Sequence, residues 1–166
     1  MRVLIAYGST RGGTAGLAEM IADEFRDAGI EASLQPAASV DALDKSDAVI
    51  VAGALYANRW HRDARRFVKR HAAALRRRPV WLVATGPLDD SAASGSIKPV
   101  RQVAAARSRV GARNCVTFGG RLTPDAKGFP ATAMAKKHAG DWRDRDHVHR
   151  WVTAVADDLR GEVSAR

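Results

Sequence analysis

The chain has 166 residues, a formal net charge of +9 and one cysteine, and these properties exclude several classes of protein. This length is typical of a single domain whose core is large enough to fold without metals or disulfides. The lone Cys115 excludes an internal disulfide, and its apolar surroundings predict a buried, unreactive thiol. No apolar run approaches the roughly 20 residues of a membrane helix. The first residues lack a signal-peptide pattern, so we expect a soluble cytoplasmic protein.

The excess of positive charge predicts a surface that attracts anions. Nucleic acid, acidic membranes, acidic proteins and phosphorylated ligands all meet that description. An arginine-rich solvated surface without any partner explains the same composition. Charge alone therefore leaves these alternatives open.

Apolar runs of strand length alternate with amphipathic helix patterns along the chain. Several strand runs are continuous rather than alternating, which is typical of strands covered on both faces in a parallel sheet. The strand runs lie at 3–6, 30–34, 49–52, 80–84 and 115–118. Apolar residues at three- and four-residue steps predict helices at 17–25, 64–75, 100–104 and 148–159, with a short helical turn at 40–43. Gly29 and Gly111 stand where two of these helices should end.

This alternation predicts an α/β fold in three layers. We expect a doubly wound, five-stranded parallel sheet in the flavodoxin-like order 2-1-3-4-5, forming one domain over residues 1–166. In open sheets of this type, ligands bind beyond the carboxyl ends of the strands. The loops that follow the strands, at 8–14, 53–61, 85–96 and 120–146, are therefore the candidate binding loops.

The first of these loops is rich in glycine and hydroxyl groups and leads directly into a helix. Glycines permit tight turns, and the free amides of a helix N-terminus attract anions, so the loop is predicted to hold a phosphate. It lacks the lysine of a Walker loop and the spacing of a dinucleotide fingerprint, which argues against ATP and NAD. Simple helix capping and turn formation is the alternative interpretation. The predicted phosphate ligands are Ser9, Thr10, Arg11, Gly12, Gly13 and Thr14.

Residues 8–14 resemble the phosphate loop of flavodoxins, in which a Ser/Thr-x-Thr-Gly-x-Thr pattern follows the first strand. Four residues match, namely Ser9, Thr10, Gly12 and Thr14. Arg11 replaces the usual neutral residue and Gly13 the usual asparagine. The resemblance implies FMN as the cofactor.

A flavin ring needs flat apolar walls, and the loop after the third strand offers two aromatic side chains. Tyr56 is the first choice for stacking, whereas Trp60 either adds to the wall or anchors the following helix. The third loop contributes backbone groups but no aromatic ring. This implies either weaker flavin binding or an open flavin face that leaves space for a substrate, and we expect the second. The predicted ring contacts are Ala54, Leu55, Tyr56, Ala57, Trp60, Thr85, Gly86, Pro87 and Leu88.

The stretch 53–79 is similar to the branch of flavodoxin-like proteins that contains menaquinone-dependent protoporphyrinogen dehydrogenase. That enzyme carries a longer, more apolar insertion where this chain has the short, polar loop 120–146, so porphyrin chemistry stays one alternative among several. Trp142 in this loop either belongs to a helix entry or covers the site. No histidine has metal-ligand spacing, His71 is expected to pack in the core, and we predict no metal.

The helical segment 62–78 carries a run of arginines and lysine on a face distinct from its apolar stripe. A solvated surface explains this pattern, and so does docking of an acidic protein or an anionic membrane surface. Few aromatic residues accompany the cations, which argues against nucleic acid.

Together these features predict an FMN-dependent oxidoreductase that moves electrons or hydride between a small reduced substrate and an acceptor. No catalytic side chain is required, because the cofactor performs the chemistry. One alternative is a non-enzymatic electron-transfer flavodoxin with a basic docking face. Another is a flavin-free module that binds anions or nucleic acid.

Overall fold

The computed structural model describes residues 1–86, 90–92, 97–125 and 139–165, and within them a parallel sheet forms the centre of the molecule. Its five main strands run in the order β2-β1-β3-β5-β6, and β4 pairs only with the end of β3. Counted without β4, this is the predicted order 2-1-3-4-5, which is confirmed. The strands are β1 (Arg2–Gly8), β2 (Glu31–Pro36), β3 (Ala48–Tyr56), β4 (Arg59–Trp60), β5 (Val80–Thr85), β6 (Asn114–Phe118), β7 (Arg121–Leu122) and β8 (Gly140–Asp141).

Helices cover both faces of the sheet, as the three-layer prediction requires. One core cluster joins Leu17, Ile21 and Phe25 to the last helix. A second cluster, on the other face, joins Phe67 and Val103 to the sheet. None of the described helices is long and apolar enough to cross a membrane. The helices are α1 (Gly13–Asp27), α2 (Arg62–Arg70), α3 (Ala72–Leu75), α4 (Arg101–Val110) and α5 (Arg145–Ser164), with α1 and α5 on one face and α2, α3 and α4 on the other.

The buried strands follow from their sequences. Every residue of β5 is buried, and so is β3 from Ala48 to Gly53, because both strands are covered by helices on both sides. The two glycines predicted to end helices do so in left-handed conformations, Gly29 with φ 76° and Gly111 with φ 65°. Only glycine adopts this backbone without a steric cost, which is why helices commonly stop there.

Three local predictions need correction. The expected helix 64–75 is divided into α2 and α3 at His71, whose half-buried ring packs on Phe67 with centroids 4.8 Å apart. The short helical turn lies at Ala37–Ser39 instead of 40–43, because Val40 is extended and its carbonyl accepts a hydrogen bond from Arg70. Cys115 is only partly buried, since it lies on β6, the last strand of the sheet.

Two antiparallel strand pairs, the hairpins β3–β4 and β7–β8, were not predicted from the sequence. In the first, β3 turns into β4 through Ala57 and Asn58, which both have positive φ, at 45° and 58°. Two such residues form the tight turn that suits a hairpin, but alanine is not a residue that signals it. In the second, β7 pairs with β8 across the segment 126–138, which lies outside the described residues.

Candidate functional site

A narrow cleft of about 80 Å³ opens at the carboxyl ends of the central strands. It lies beyond the ends of β1 and β3, between which the strand order reverses direction. Open α/β sheets bind ligands at this position. The first loop, the β3–β4 hairpin and the end of β5 all contribute to it, as predicted. The start of the predicted loop 120–146 also contributes, through Gly120 and β7, although no residue of this loop was chosen as a cofactor ligand. The lining residues are Ser9, Thr10, Arg11, Gly13, Thr14, Ala54, Leu55, Tyr56, Ala57, Thr85, Gly86, Gly120, Arg121 and Leu122.

The first loop presents the start of α1 to this cleft. Gly12 occupies the N-cap in a left-handed conformation, with φ 79° and ψ −10°, and donates its N–H to Ser9 Oγ at 3.1 Å. No side chain caps the helix, and its first turn contains no acidic residue. The positive end of the helix dipole and the first amides therefore face the cleft without a competing carboxylate, which is the arrangement that attracts an anion.

Two buried hydroxyls tie the start of α1 to the end of β5. Thr14 is 2% exposed and Thr85 is 5% exposed, and their Oγ1 atoms are 2.7 Å apart. Either hydroxyl donates to the other, so the pair satisfies itself inside the protein. Both threonines were predicted to contact the cofactor, and the structure places both on the cleft wall.

A histidine that the sequence analysis left without a role joins the first loop to α2. His61 Nε2 lies 2.9 Å from Thr10 Oγ1, and His61 Nδ1 accepts the backbone N–H of Asp63 at 3.2 Å. Burial lowers the pKa of His61 from 6.5, and the guanidinium groups of Arg62 and Arg65 lower it further, against an opposing effect of Asp63. The imidazole is therefore neutral at pH 7. The sequence carries no clear signal for this role, because histidine is not among the residues preferred before a helix.

Arg11 lies across the ring of Tyr56 at the mouth of the cleft. Its Nη1 donates to the phenolic oxygen at 2.5 Å, and its guanidinium carbon is 5.1 Å from the ring centroid. The aromatic wall predicted from Tyr56 is thus present, with a cation on its face.

The structure corrects the expectation that Trp60 lines the site. Its side chain is 1% exposed, belongs to the core cluster beneath α2, and donates Nε1–H to the carbonyl of Val83 at 3.2 Å. It approaches Gly53 so closely that an added Cβ there would lie 2.5 Å from Nε1. Trp60 is therefore an anchor for the start of α2, which was the alternative interpretation. Pro87 and Leu88 lie outside the described residues.

Gly120 and β7 line the cleft, and β8 pairs with β7. Trp142 donates its backbone N–H to Gly120 at 2.9 Å and packs its ring on Gly140, so it supports the hairpin and does not line the cleft. Arg143 pairs with Asp141 through two hydrogen bonds of 2.8 and 2.6 Å, and this pair lowers the pKa of Asp141. The described residues contain no cluster of three or more histidine, cysteine or acidic side chains able to hold a metal ion.

The sheet order, the two helical layers and the cleft at the β1–β3 divergence define an α/β protein with the flavodoxin fold. A family model described as a flavodoxin domain matches residues 4–138, so the chain belongs to the flavodoxin-domain family. No curated protein matches the sequence.

Solved structures with this fold cover nearly the whole chain at low identity. A mutant flavodoxin from Pseudomonas aeruginosa is 19% identical with a TM-score of 0.62, covering 96% of this chain and 99% of its own. A flavodoxin from Streptococcus pneumonia TIGR4 is 18% identical with a TM-score of 0.59, covering 98% and 99%. A mutant flavo di-iron protein from Thermotoga maritima is 12% identical with a TM-score of 0.61, covering 95% of this chain and 35% of its own. At these identities the likeness shows the fold.

Proposed function

We propose that the protein binds FMN in this cleft and acts as an oxidoreductase that passes electrons or hydride from a small reduced substrate to an acceptor. One observation supports this most directly. The N-terminus of α1 has no side-chain cap and opens through a glycine loop into a cleft with Tyr56 on its wall. An anion site beside an aromatic wall suits a ligand with a phosphate at one end and a flat ring at the other.

The residue types at the start of α1 fit the phosphate end of FMN. Gly12 keeps the loop in a left-handed turn, Ser9 fixes that turn by accepting its N–H, and Thr10 and Arg11 add polar groups at the same place. An arginine suits a phosphate because its donors match the geometry of two oxygens.

The flavin ring requires Arg11 to move. The present cleft of about 80 Å³ is smaller than the about 300–1,000 Å³ of most small-molecule sites. Arg11 occupies a face of Tyr56 on which a ring would stack, so its side chain has to leave that face when FMN binds. A guanidinium that turns toward the start of α1 would then pair with the phosphate.

When bound, FMN supplies the hydride or single-electron chemistry. The chain's own residues then bind, orient and shield. The imidazole of His61 is neutral and adds no charge to the first loop. Leu55 packs against Gly86 so closely that a Cβ at Gly86 would lie 2.7 Å from Leu55 Cβ. This contact brings the second and third loops together at the ring end of the cleft.

The protein has a second notable surface, the basic layer formed by α2 and α4, which suits an electron-transfer partner with an acidic face. Helices α2 and α4 carry eight cations and one carboxylate, whereas α1 and α5 carry four cations and eight carboxylates. The start of α2 contacts the first loop through His61, so the basic layer reaches the edge of the cleft. Met1 and Val163 are the exposed large hydrophobic residues among those described, and neither lies on this layer. A charged surface without apolar anchors favours a transient protein contact over insertion into a membrane.

The direct test is a titration with FMN and with riboflavin, which lacks the phosphate. We expect FMN to bind at least about 100-fold more tightly, since a charge-assisted phosphate site contributes about 1.5–3 kcal/mol per hydrogen bond. Gly12→Ala should lose this preference, because alanine is strained at φ 79°. Gly29→Ala is a matched control, since Gly29 has φ 76° at the other end of α1 and both positions have open space for a Cβ. Equal binding of FMN and riboflavin by the wild-type protein would refute the proposal.

A further inference from the structure

We propose that His61 is a positioning residue that fixes the direction of the Thr10 hydroxyl, so that this hydroxyl donates its proton into the cleft. The inference rests on the proposed anion site and identifies a component of it that lies on a different loop. His61 follows β4, whereas Thr10 follows β1, so 51 positions of sequence separate the two side chains.

The imidazole is held in a specific place between the sheet and α2. Its side chain is 11% exposed. A Cβ added to Gly8, the last residue of β1, would lie 2.5 Å from Nδ1, so glycine at this position makes room for the ring. The backbone N–H of Asp63 holds the other side of the ring through Nδ1. These contacts leave the imidazole little freedom to turn.

The contacts also determine which nitrogen carries the proton. Nδ1 accepts the N–H of Asp63 and therefore has no hydrogen of its own. A neutral imidazole then carries its proton on Nε2. This nitrogen lies 2.9 Å from Thr10 Oγ1, so it donates to that oxygen. One tautomer satisfies both contacts, and burial favours the neutral ring by lowering the pKa of His61.

This direction of donation decides what the Thr10 hydroxyl can do. A hydroxyl that already accepts a hydrogen bond has its proton left for another acceptor. Thr10 lines the cleft beside the uncapped start of α1. An anion in the cleft offers oxygen acceptors only, so a hydroxyl with its proton turned toward the cleft stabilises it. Were Nε2 unprotonated, Thr10 would donate to the imidazole instead and present a lone pair to the anion.

Two substitutions separate the two roles of the ring. His61→Asn keeps an acceptor near the position of Nδ1, and asparagine is a favoured N-cap residue, but it lacks a donor that reaches Thr10. His61→Gln extends an N–H donor to about the position of Nε2 and loses the cap. We expect His61→Asn to unfold at nearly the wild-type urea concentration and to bind FMN roughly tenfold more weakly. His61→Gln should unfold at lower urea and keep FMN affinity within about threefold.

Three further measurements make the result decisive. Riboflavin affinity should be unchanged in His61→Asn, because the effect acts on the phosphate end. Thr10→Val should weaken FMN binding as much as His61→Asn, and combining the two should add little, since the histidine acts through the threonine. Nitrogen-detected NMR of the ligand-free protein should show the Nε2–H tautomer of His61.

Each contrary result has a separate meaning. The Nδ1–H tautomer overturns the inference whether or not flavin binds. The inference is also overturned if His61→Asn binds FMN as tightly as the wild type while Thr10→Val binds it more weakly. It is overturned as well if both histidine variants lose affinity in proportion to their loss of stability. A wild-type protein that shows the Nε2–H tautomer but does not bind FMN refutes the proposed function and leaves the geometry of the histidine standing.

Discussion

Arg11 and Tyr56 form one contact from two loops that are 45 positions apart, with the guanidinium donating to the phenolic oxygen at 2.5 Å and lying over the ring. The contact closes the ring end of the cleft, because it places a cation on the aromatic face. The same two residues were predicted to serve the two ends of one ligand. In the structure these two side chains contact each other, so a ring that stacks on this face of Tyr56 has to break the contact.

Two substitutions of Tyr56 should therefore act in opposite directions. Tyr56→Phe keeps the ring and removes the oxygen that accepts from Arg11, so FMN should bind about threefold to tenfold more tightly, as expected for one hydrogen bond of about 1 kcal/mol. Tyr56→Ala removes the stacking surface and should weaken binding. Quenching of flavin fluorescence measures both affinities. Weaker binding by Tyr56→Phe than by the wild type would show that the Arg11 contact does not oppose the ligand.

The threonine pair beneath the cleft gives a test of stability. Thr14→Val leaves the buried Thr85 hydroxyl without its partner and should lower the free energy of unfolding by about 1–3 kcal/mol. The double variant Thr14→Val, Thr85→Val removes both polar groups and should recover most of that loss. Urea unfolding measures the three proteins. Additive losses in the double variant would mean that the two hydroxyls do not satisfy each other.

Much of the fold was predictable because it depends on patterns that extend over many residues. The apolar runs of β3 and β5 were recognisable since both strands are buried on two faces, and Gly29 and Gly111 ended helices because their backbone conformation favours glycine. The break at His71 was not predictable, because the apolar stripe of α2 continues through α3. There the contacts of one ring with Phe67 and Val40 determine the local backbone.

The candidate site was predictable to the extent that it depends on loops at strand ends. The first loop and Tyr56 were placed correctly on the cleft because parallel strands all end at one edge of the sheet. Trp60 was misplaced, since a pattern of residue types does not tell which of two nearby aromatic side chains turns toward the core. His61 and Arg121 lie in two of the predicted loops but were not chosen as site residues, because their positions depend on hairpins, β3–β4 and β7–β8, that the sequence does not signal.

The lowered pKa values of two histidines predict how stability depends on pH. Burial is the main cause for both His61 and His147, and neighbouring arginines add to it. A histidine whose pKa is lower in the folded than in the unfolded protein binds its proton less readily when folded. The free energy of unfolding is then highest above the pKa of the unfolded protein, about 6.5, and it falls as the pH drops toward the lower pKa of the folded protein.

We therefore expect the free energy of unfolding to decrease as the pH falls below about 6.5. His61→Asn should reduce the slope because it removes one of the two groups, and His147→Asn should do the same on the other face of the sheet. His149→Asn, at an exposed histidine of α5, is a control for the exchange of histidine for asparagine itself. Urea unfolding between pH 5 and pH 8 measures the slopes. A slope unchanged in both His61→Asn and His147→Asn would refute the assignment.

The charge difference between the two helical layers predicts the salt dependence of electron transfer. The flavin-loaded, reduced protein should react faster with the anion ferricyanide than its driving force alone predicts, and added salt should slow this reaction. The cation hexaammineruthenium should show the reverse dependence on salt. Arg62→Glu combined with Arg66→Glu reverses two exposed charges on α2 and should reduce both effects, because α2 begins beside the first loop.

The matched control for this experiment lies on the opposite layer of the sheet. Asp157→Lys combined with Asp158→Lys changes the total charge by the same amount in the other direction, but on α5, away from α2. If the local field of the basic layer steers partners, the α5 variant should leave the ferricyanide rate within about twofold of the wild type, since charges beyond a Debye length of about 8 Å are screened. If the ferricyanide rate changes with total charge to the same extent in the α2 and α5 variants, the basic layer has no special role. The remaining alternative is that the basic layer binds an anionic membrane surface, and sedimentation with phosphatidylserine vesicles tests it. If the partner is an acidic protein, we expect only weak vesicle binding that physiological salt abolishes.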